Sequence, residues 1–306
     1  MTTSYEPALP LGTTLKGIWN GRTYTVVRGL GSGANGQVLL VRRGERRYAM
    51  KIGYDPLDHQ FEVNALQSLS KTDTSFSRFL LDADDAEFEG RRLSFFIMPY
   101  IQGLSLSKYI RTYGKDWIYV IGSNLLKKLT ELHRSGFIYG DLKSDNLVLT
   151  EHGSVELIDF GGMTAKGRAV KQFTEIFDRG YWCAGERVAE ESYDLFSFAV
   201  LIIKTLDERD AFRPALQELP QNRNISMLED IVKSSERMKG LAPFLLKALN
   251  NRFASSEEAL AVWREQAKKA RGIKVPAERK EAPGIVLFLT ISLIVLLGTI
   301  VYFYLD

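Results

Sequence analysis

The sequence predicts an α+β protein of two lobes, a small β-rich lobe followed by a larger helical one, with a single apolar helix at its end. Three observations carry this. Up to about residue 100 the apolar residues fall in short β-rich runs around one helical pattern. Beyond that point the apolar spacing is helical, and residues 285–305 carry no charge. The expected boundaries are a globular region over 12–266 with lobes at about 12–100 and 101–266, a basic linker over 267–284, and a membrane-spanning helix over 285–305.

In chain order, "TLKGIWNGRTYTVV" sets Asn20-Gly21 between two β-rich runs, the signal of a two-residue hairpin turn. "RYAMKIG" and "RRLSFFIMPYI" read as strands. Between them "DHQFEVNALQSLS" places Phe61, Ala65, Leu66 and Leu69 at helical spacing. "DWIYVIGSNLLKKLTELHRSG" has an apolar stripe and a glycine stop. "SYDLFSFAVLIIKTL" is apolar almost all round, as a central buried helix would be. "FLLKALNNRFASSEEALAVWREQ" reads as two helices broken around Asn251. Residues 267–283 hold charges and two prolines without apolar periodicity, hence a linker.

The composition, 45% hydrophobic and 25% charged, is that of a globular protein, and a net charge of +3 gives no argument for nucleic acid. The one cysteine, Cys183, excludes an internal disulfide and fits a reducing cytosol. His59, His133 and His152 are too scattered for zinc-ligand spacing. "MTTSYEPALP" has neither the basic nor the apolar region of a signal peptide. At the other end "IVLFLTISLIVLLGTIVYFYL" would span ~31 Å as a helix, against a bilayer core of about 30 Å. Tyr302 and Tyr304 suit an interfacial belt. The basic flank Lys268, Lys269, Arg271, Lys274, Arg279 and Lys280 keeps residues 1–280 in the cytoplasm by the positive-inside tendency. The expectation is a single-pass, tail-anchored protein of the cell membrane.

The chemistry begins at "GLGSGANGQV", where Gly31, Gly33 and Gly36 have G-x-G-x-x-G spacing. Glycine permits the close backbone approach that a phosphate-wrapping loop needs. The pattern also marks dinucleotide folds, but here a strand, a turn and a strand follow rather than a helix, which favours a glycine-rich hairpin. Lys51 is centred in the strand "YAMKI"; a buried lysine needs a partner, and Glu62 on the next helix is the candidate. Together they can hold the α- and β-phosphates of a nucleotide. In "YGDLKSDN", Asp141 can orient an acceptor hydroxyl and take its proton, Lys143 can neutralise a transferring phosphoryl, and Asn146 can ligate a divalent metal. Thirteen residues on, "DFGG" offers Asp159 at a strand end as a second ligand for Mg²⁺ or Mn²⁺.

The order of these pieces resembles the Hanks-type, eukaryotic-like bacterial serine/threonine protein kinases over roughly residues 12–266. The resemblance implies the two-lobed protein-kinase fold, ATP with Mg²⁺ or Mn²⁺, and protein substrates. It places Leu30, Val38, Ala49 and Val148 around adenine and residues 98–101 at the gatekeeper and hinge. It implies that Asp194 holds the catalytic-loop backbone and that Glu186 in "CAGE" pairs with Arg252. Tyr139-Gly140 departs from the usual His-Arg, and "CAGE" lacks the proline of Ala-Pro-Glu. "LPLGTTLKGIWNGRTYT", "GSGANG", "FTEIFDRGYW" and the bare apolar C-terminus are similar to the YabT-type, membrane-anchored kinases of endospore-forming bacteria, which implies a DNA response and a link to sporulation.

Two other readings stand beside this one. A kinase-shaped scaffold could bind DNA or partners with weak or no activity. Small-molecule phosphotransferases often carry Gly-Asp in this loop but usually lack the lysine two residues on, whereas this chain has Lys143. Lys268, Lys269, Arg271 and Lys274 could contact DNA phosphates or anionic lipid, and with Glu278 and Glu281 among them and no aromatic residue interleaved the residues favour the membrane surface. Thr164 and Thr174 are the candidate acceptors for self-association and autophosphorylation in trans.

Overall fold

The computed structural model of the chain describes residues 9–270 except 34, 172 and 209. The expected membrane helix and the linker from residue 271 onward lie outside the described residues. Among the described residues no helix is long and apolar enough to cross a membrane.

The first lobe contains β1 (Thr14–Lys16), β2 (Thr23–Gly33), β3 (Gly36–Arg43), β4 (Arg46–Gly53), α1 (Pro56–Ser70), β5 (Asp82–Phe88) and β6 (Arg91–Pro99). The strands pair antiparallel in the order β1-β2-β3-β4-β6-β5. Alternate residues point to opposite faces of a strand. One face carries Val41, Met50, Ile52, Phe95 and Ile97 into a core closed by Leu9 and Leu15. The other face carries Ala49 and Phe96 toward the second lobe. The two ends of the sheet meet, since Gly17 bridges Ala86 and the Ile18 N–H donates to the Asp85 carbonyl at 2.8 Å. The β1–β2 connection therefore takes residues 17–22 and not the two-residue Asn20-Gly21 turn. The Asp84 carboxylate accepts the N–H groups of Trp19 (3.0 Å) and Asn20 (2.9 Å) and draws the loop across to β5.

Asp55 caps α1 by accepting from the Leu57 and Asp58 N–H groups. The helix buries His59, Glu62, Val63, Leu66 and Leu69. Phe61, expected on that face, is 57% exposed instead. Its place one residue before Glu62 puts it on the flank once Glu62 turns inward.

The second lobe contains α2 (Leu106–Tyr113), α3 (Ile118–Arg134), β7 (Phe137–Ile138), β8 (Leu147–Leu149), β9 (Val155–Leu157), β10 (Thr164–Ala165), α4 (Glu191–Leu206), α5 (Phe212–Gln217), α6 (Ile225–Ser234), α7 (Ala242–Leu249) and α8 (Ser256–Ala270). Helix α4 is buried almost throughout, from Tyr193 to Ile203, which is why its sequence shows no polar face. The side chain of Trp263 on α8 is fully buried against Gly122 of α3, where a Cβ would collide with its ring. The break between α7 and α8 falls where the sequence placed it, with Asn251 at φ 53°. Residues 267–270, expected in the linker, are the end of α8.

Candidate active site

Strand β4 carries Lys51 on the face that looks to the second lobe, and α1 packs so that Glu62 reaches it. The Lys51 ammonium lies 2.7 Å from Glu62 Oε2 and 2.8 Å from Asp159 Oδ1. The Lys51 and Glu62 side chains are only 5% and 4% exposed. Burial works against the Lys51 charge, but the two carboxylates outweigh it and hold its pKa above the ordinary value. Burial likewise presses the Glu62 carboxyl upward while Lys51 opposes it; the ion pair is the form that satisfies both groups. Asp159, half-buried, is held below the usual carboxylate range against the cost of that burial, by Lys51 and by the Gly161 N–H. Glu62 Oε1 also accepts the Phe160 N–H at 3.1 Å, so one carboxylate orders both the lysine and the start of "FGG".

The polar loop after β7 is held from below. Asp194, fully buried near the start of α4, accepts the N–H groups of Tyr139 at 2.7 Å and Gly140 at 2.9 Å. His133 of α3 lies 2.8 Å from the same carboxylate. Above this support Asp141 is 4% exposed. Its Oδ2 accepts from Lys143 Nζ at 2.6 Å, and its Oδ1 accepts from the Thr174 hydroxyl at 2.7 Å. Lys143 also donates to Thr174 at 3.2 Å. The Asn146 amide donates to the Asp141 carbonyl at 2.9 Å, which leaves its oxygen as an acceptor.

Ala49 pairs with Met98 across β4 and β6, and Leu30 and Val38 pack half-buried against the cluster that holds both. Val148 is half-buried on β8 with its side chain against Gly103. The chain passes between the lobes at residues 99–101. Gly36 is required by packing, because a Cβ there would collide with the Ile52 carbonyl. At Gly31 and Gly33 a Cβ would meet nothing within 4 Å, so the fold itself does not ask for glycine at either. A cavity of about 670 Å³ lies behind Glu62 and Phe160, lined also by His59, Met163 and Arg168. It does not reach Asp141 and is not the transfer site.

The sequence matches the family model described as protein kinase domain over residues 24–266. The chain belongs to the protein kinase family. It is similar to the serine/threonine-protein kinase YabT of Bacillus subtilis (strain 168), with 38% identity over 286 residues, covering 92% of this chain and 82% of that protein. It is similar to protein kinase C, eye isozyme, of Drosophila melanogaster, with 29% identity over 77% of this chain and 36% of that protein. The serine/threonine-protein kinase PAK 5 of Rattus norvegicus is 25% identical over 54% of this chain and 24% of its own length.

This kinase departs from the expected pattern in ways the geometry explains. Tyr139, fully buried in place of histidine, donates its hydroxyl to the Ile158 carbonyl and packs edge-on to Phe160 at 5.9 Å. Gly140, in place of arginine, has φ 80°, and a Cβ would stand 2.5 Å from the Gly162 carbonyl. A Cβ on Gly162 would in turn lie 2.9 Å from that of Asp141. The two glycines thus let the catalytic loop and the "DFGG" turn pack backbone to backbone. The expected Glu186–Arg252 ion pair does not form; both residues are exposed. Buried Arg179 instead donates to the Glu186 carbonyl and to Ser192 Oγ at 2.9 Å. Asp178, fully buried, pairs with Arg187 at 2.7 Å and accepts the Tyr193 hydroxyl at 2.9 Å. These contacts tie down the segment from which the proline is missing.

Neither candidate phosphoacceptor presents a free hydroxyl. Thr164 is buried and donates to the Gly162 carbonyl at 3.0 Å, and Thr174 is engaged by Asp141. Sequence reasoning named Thr174 only as a candidate acceptor and His133 only as an excluded zinc ligand; their contacts with Asp141 and Asp194, and the roles of Arg179 and Asp178, were missed.

Proposed function

We propose that this kinase transfers the γ-phosphoryl of ATP to serine or threonine hydroxyls of proteins, from a cytoplasmic domain tethered to the cell membrane. The observation that carries the transfer chemistry is the Lys51 ammonium held between Glu62 and Asp159 across the two lobes. The donor set fits a hard divalent cation: Asp159 is a depressed carboxylate and Asn146 has an uncommitted amide oxygen. Bound Mg²⁺ or Mn²⁺ would supply neutralisation of phosphate charge between these two residues. Lys51, fixed by Glu62, is placed to take the α- and β-phosphates, and Gly31 and Gly33 leave the hairpin bare for them. Leu30, Val38, Ala49 and Val148 offer apolar contacts for adenine.

Asp141 orients the acceptor hydroxyl and takes its proton as the new oxygen–phosphorus bond forms and the bond to the ADP oxygen breaks. Lys143 lies between Asp141 and Thr174, where its charge can meet the transferring group. Transfer of this kind rests on positioning and electrostatics. Asp141→Asn should lower kcat about 10²–10⁴-fold with a labelled protein acceptor; wild-type turnover in that variant would remove the assignment.

The sequence supports the tether at 285–305, and similarity to the YabT-type kinases supports a DNA response and a sporulation setting. Lys268 and Lys269 fall in the last turn of α8; with Arg271 and Lys274 they form the basic stretch proposed to meet DNA or the membrane. Phosphorylation measured with and without duplex DNA separates the two, and a DNA response that weakens steeply with salt marks phosphate contacts. The Thr164 and Thr174 hydroxyls are both engaged, Thr174 by Asp141 itself, and mapping of the labelled residues tests them as autophosphorylation sites.

A further inference from the structure

The hairpin between β3 and β4 ends in the sequence "RRGERR", and the pairing sets Arg42 opposite Arg47 and Arg43 opposite Arg46. All four are exposed, and none forms an ion pair among the described residues. Like charges directly opposed on an antiparallel pair destabilise it, so this pattern works against the hairpin that carries it. Arginine is also the side chain best suited to phosphate, through its planar fork of donors. Because neighbouring residues in a strand face opposite ways, Arg42 and Arg47 lie on one face of the tip and Arg43 and Arg46 on the other. Charge thus surrounds a convex end rather than lining a groove.

Two further observations bear on the partner. Tyr24 on β2 and Tyr48 on β4, the aromatic residues of the sheet near the tip, offer little for base stacking. Tyr24 is buried with its hydroxyl on Asp82, and Tyr48 is edge-on to Tyr24 at 6.3 Å. By contrast Leu11 is 72% exposed, on a turn whose Gly12 N–H donates to the Val26 carbonyl. Val26 pairs with Val41, the residue before Arg42, which puts the turn about 10 Å from β3, two strand spacings away. Exposed arginines free of ion pairs, Arg43 lying over the Tyr24 ring at 6.0 Å, with an exposed leucine two strand spacings away are the chemistry of an anionic bilayer interface.

We propose that the β3–β4 hairpin is a second membrane contact, its four arginines binding the phosphate headgroups of anionic phospholipid and Leu11 entering the interface beside them. This contact is separate from the tail anchor and fixes how the catalytic lobe faces the surface.

The test uses the full chain in vesicles of phosphatidylcholine alone or mixed with phosphatidylglycerol. A fluorophore on Glu45→Cys, in a Cys183→Ser background, is quenched by brominated lipid chains. Quenching should rise with phosphatidylglycerol, fall at high salt, and drop about tenfold or more when Arg42, Arg43, Arg46 and Arg47 are all changed to Gln. Leu11→Ser, which leaves every arginine in place, should lower it as well. Equal quenching in both lipids, or quenching untouched by the Gln variant, overturns the proposal. Displacement by duplex DNA where inorganic phosphate of equal charge does nothing would assign the face to nucleic acid and overturn the lipid reading. Displacement by inorganic phosphate alone would mark a site for single anions and overturn it too. Flotation with the phosphatidylcholine vesicles reports on the tail anchor, so its failure is seen separately.

Discussion

Thr174 divides one hydroxyl between a carboxylate and an ammonium, and that makes it a positioning residue for Asp141 and Lys143. Hydrogen bonds to charged groups contribute about 1.5–3 kcal/mol each. Thr174→Val should therefore lower kcat about ten- to a hundredfold while leaving KM for ATP near its wild-type value, and Thr174→Ser should restore it; steady-state kinetics would show a change confined to KM if the role were different. Gly140 gives a second residue-scale prediction. Restoring the usual arginine there forces a side chain into φ 80° against the Gly162 carbonyl. Gly140→Arg should cost about 1–3 kcal/mol, read as a lower midpoint in thermal unfolding. The residues of the site differ in how they could be found. Lys51, Glu62, Asp141, Asn146 and Asp159 stand as charged or amide groups at fixed intervals in apolar frames, and their order made them legible. Thr174 sits in a polar segment where a threonine has many uses, and only its contacts distinguish it.

Helices α3, α4 and α8 form the platform under the catalytic loop. His133 on α3 meets Asp194 and Glu191 on α4. Burial disfavours its charge, but the hydrogen bond with Asp194 and the nearby Glu191 carboxylate raise its pKa above the ordinary histidine value. A raised folded value stabilises the protein fully below the unfolded pKa of about 6.5 and loses that contribution as pH climbs through the folded value. Glu191 behaves oppositely: His133 at 3.7 Å and the hydrogen bonds from Lys166 and Ser256 depress it, so its contribution is lost only as pH falls below the unfolded value of about 4.5. The midpoint difference between wild type and His133→Gln should be widest near about pH 5–6.5 and narrow above it; a difference that grows toward alkaline pH would contradict the charge pairing. On the same platform Gly122→Ala pushes a methyl into the Trp263 ring and should cost about 1–3 kcal/mol in denaturant unfolding. Periodicity showed α3, α4, α7 and α8 well, because each buries a stripe or nearly its whole surface. It mistook the phase of α1, since a buried Glu62 is invisible to a count of apolar residues, and Phe61 took its place in the pattern.

Across the whole molecule, the two lobes are joined in charge by Lys51 as well as in chain by the hinge. Removing one member of a buried ion pair costs about 3–5 kcal/mol, so Lys51→Ala should lower the unfolding midpoint in addition to abolishing transfer. Comparing it with Asp141→Asn separates the structural loss from the chemical one. The lobes themselves were legible from the change in apolar period near residue 100. The closure of the first lobe was not, because it depends on Asp84 capturing the backbone of Trp19 and Asn20, a contact between residues far apart in the sequence. That closure has a further consequence. A sheet whose first and last strands meet leaves little open edge on which another chain can add a strand, and the ion pairs Arg22–Asp82 and Arg92–Asp85 guard what remains. Copies of this lobe that meet can therefore collide without joining strand to strand at that edge.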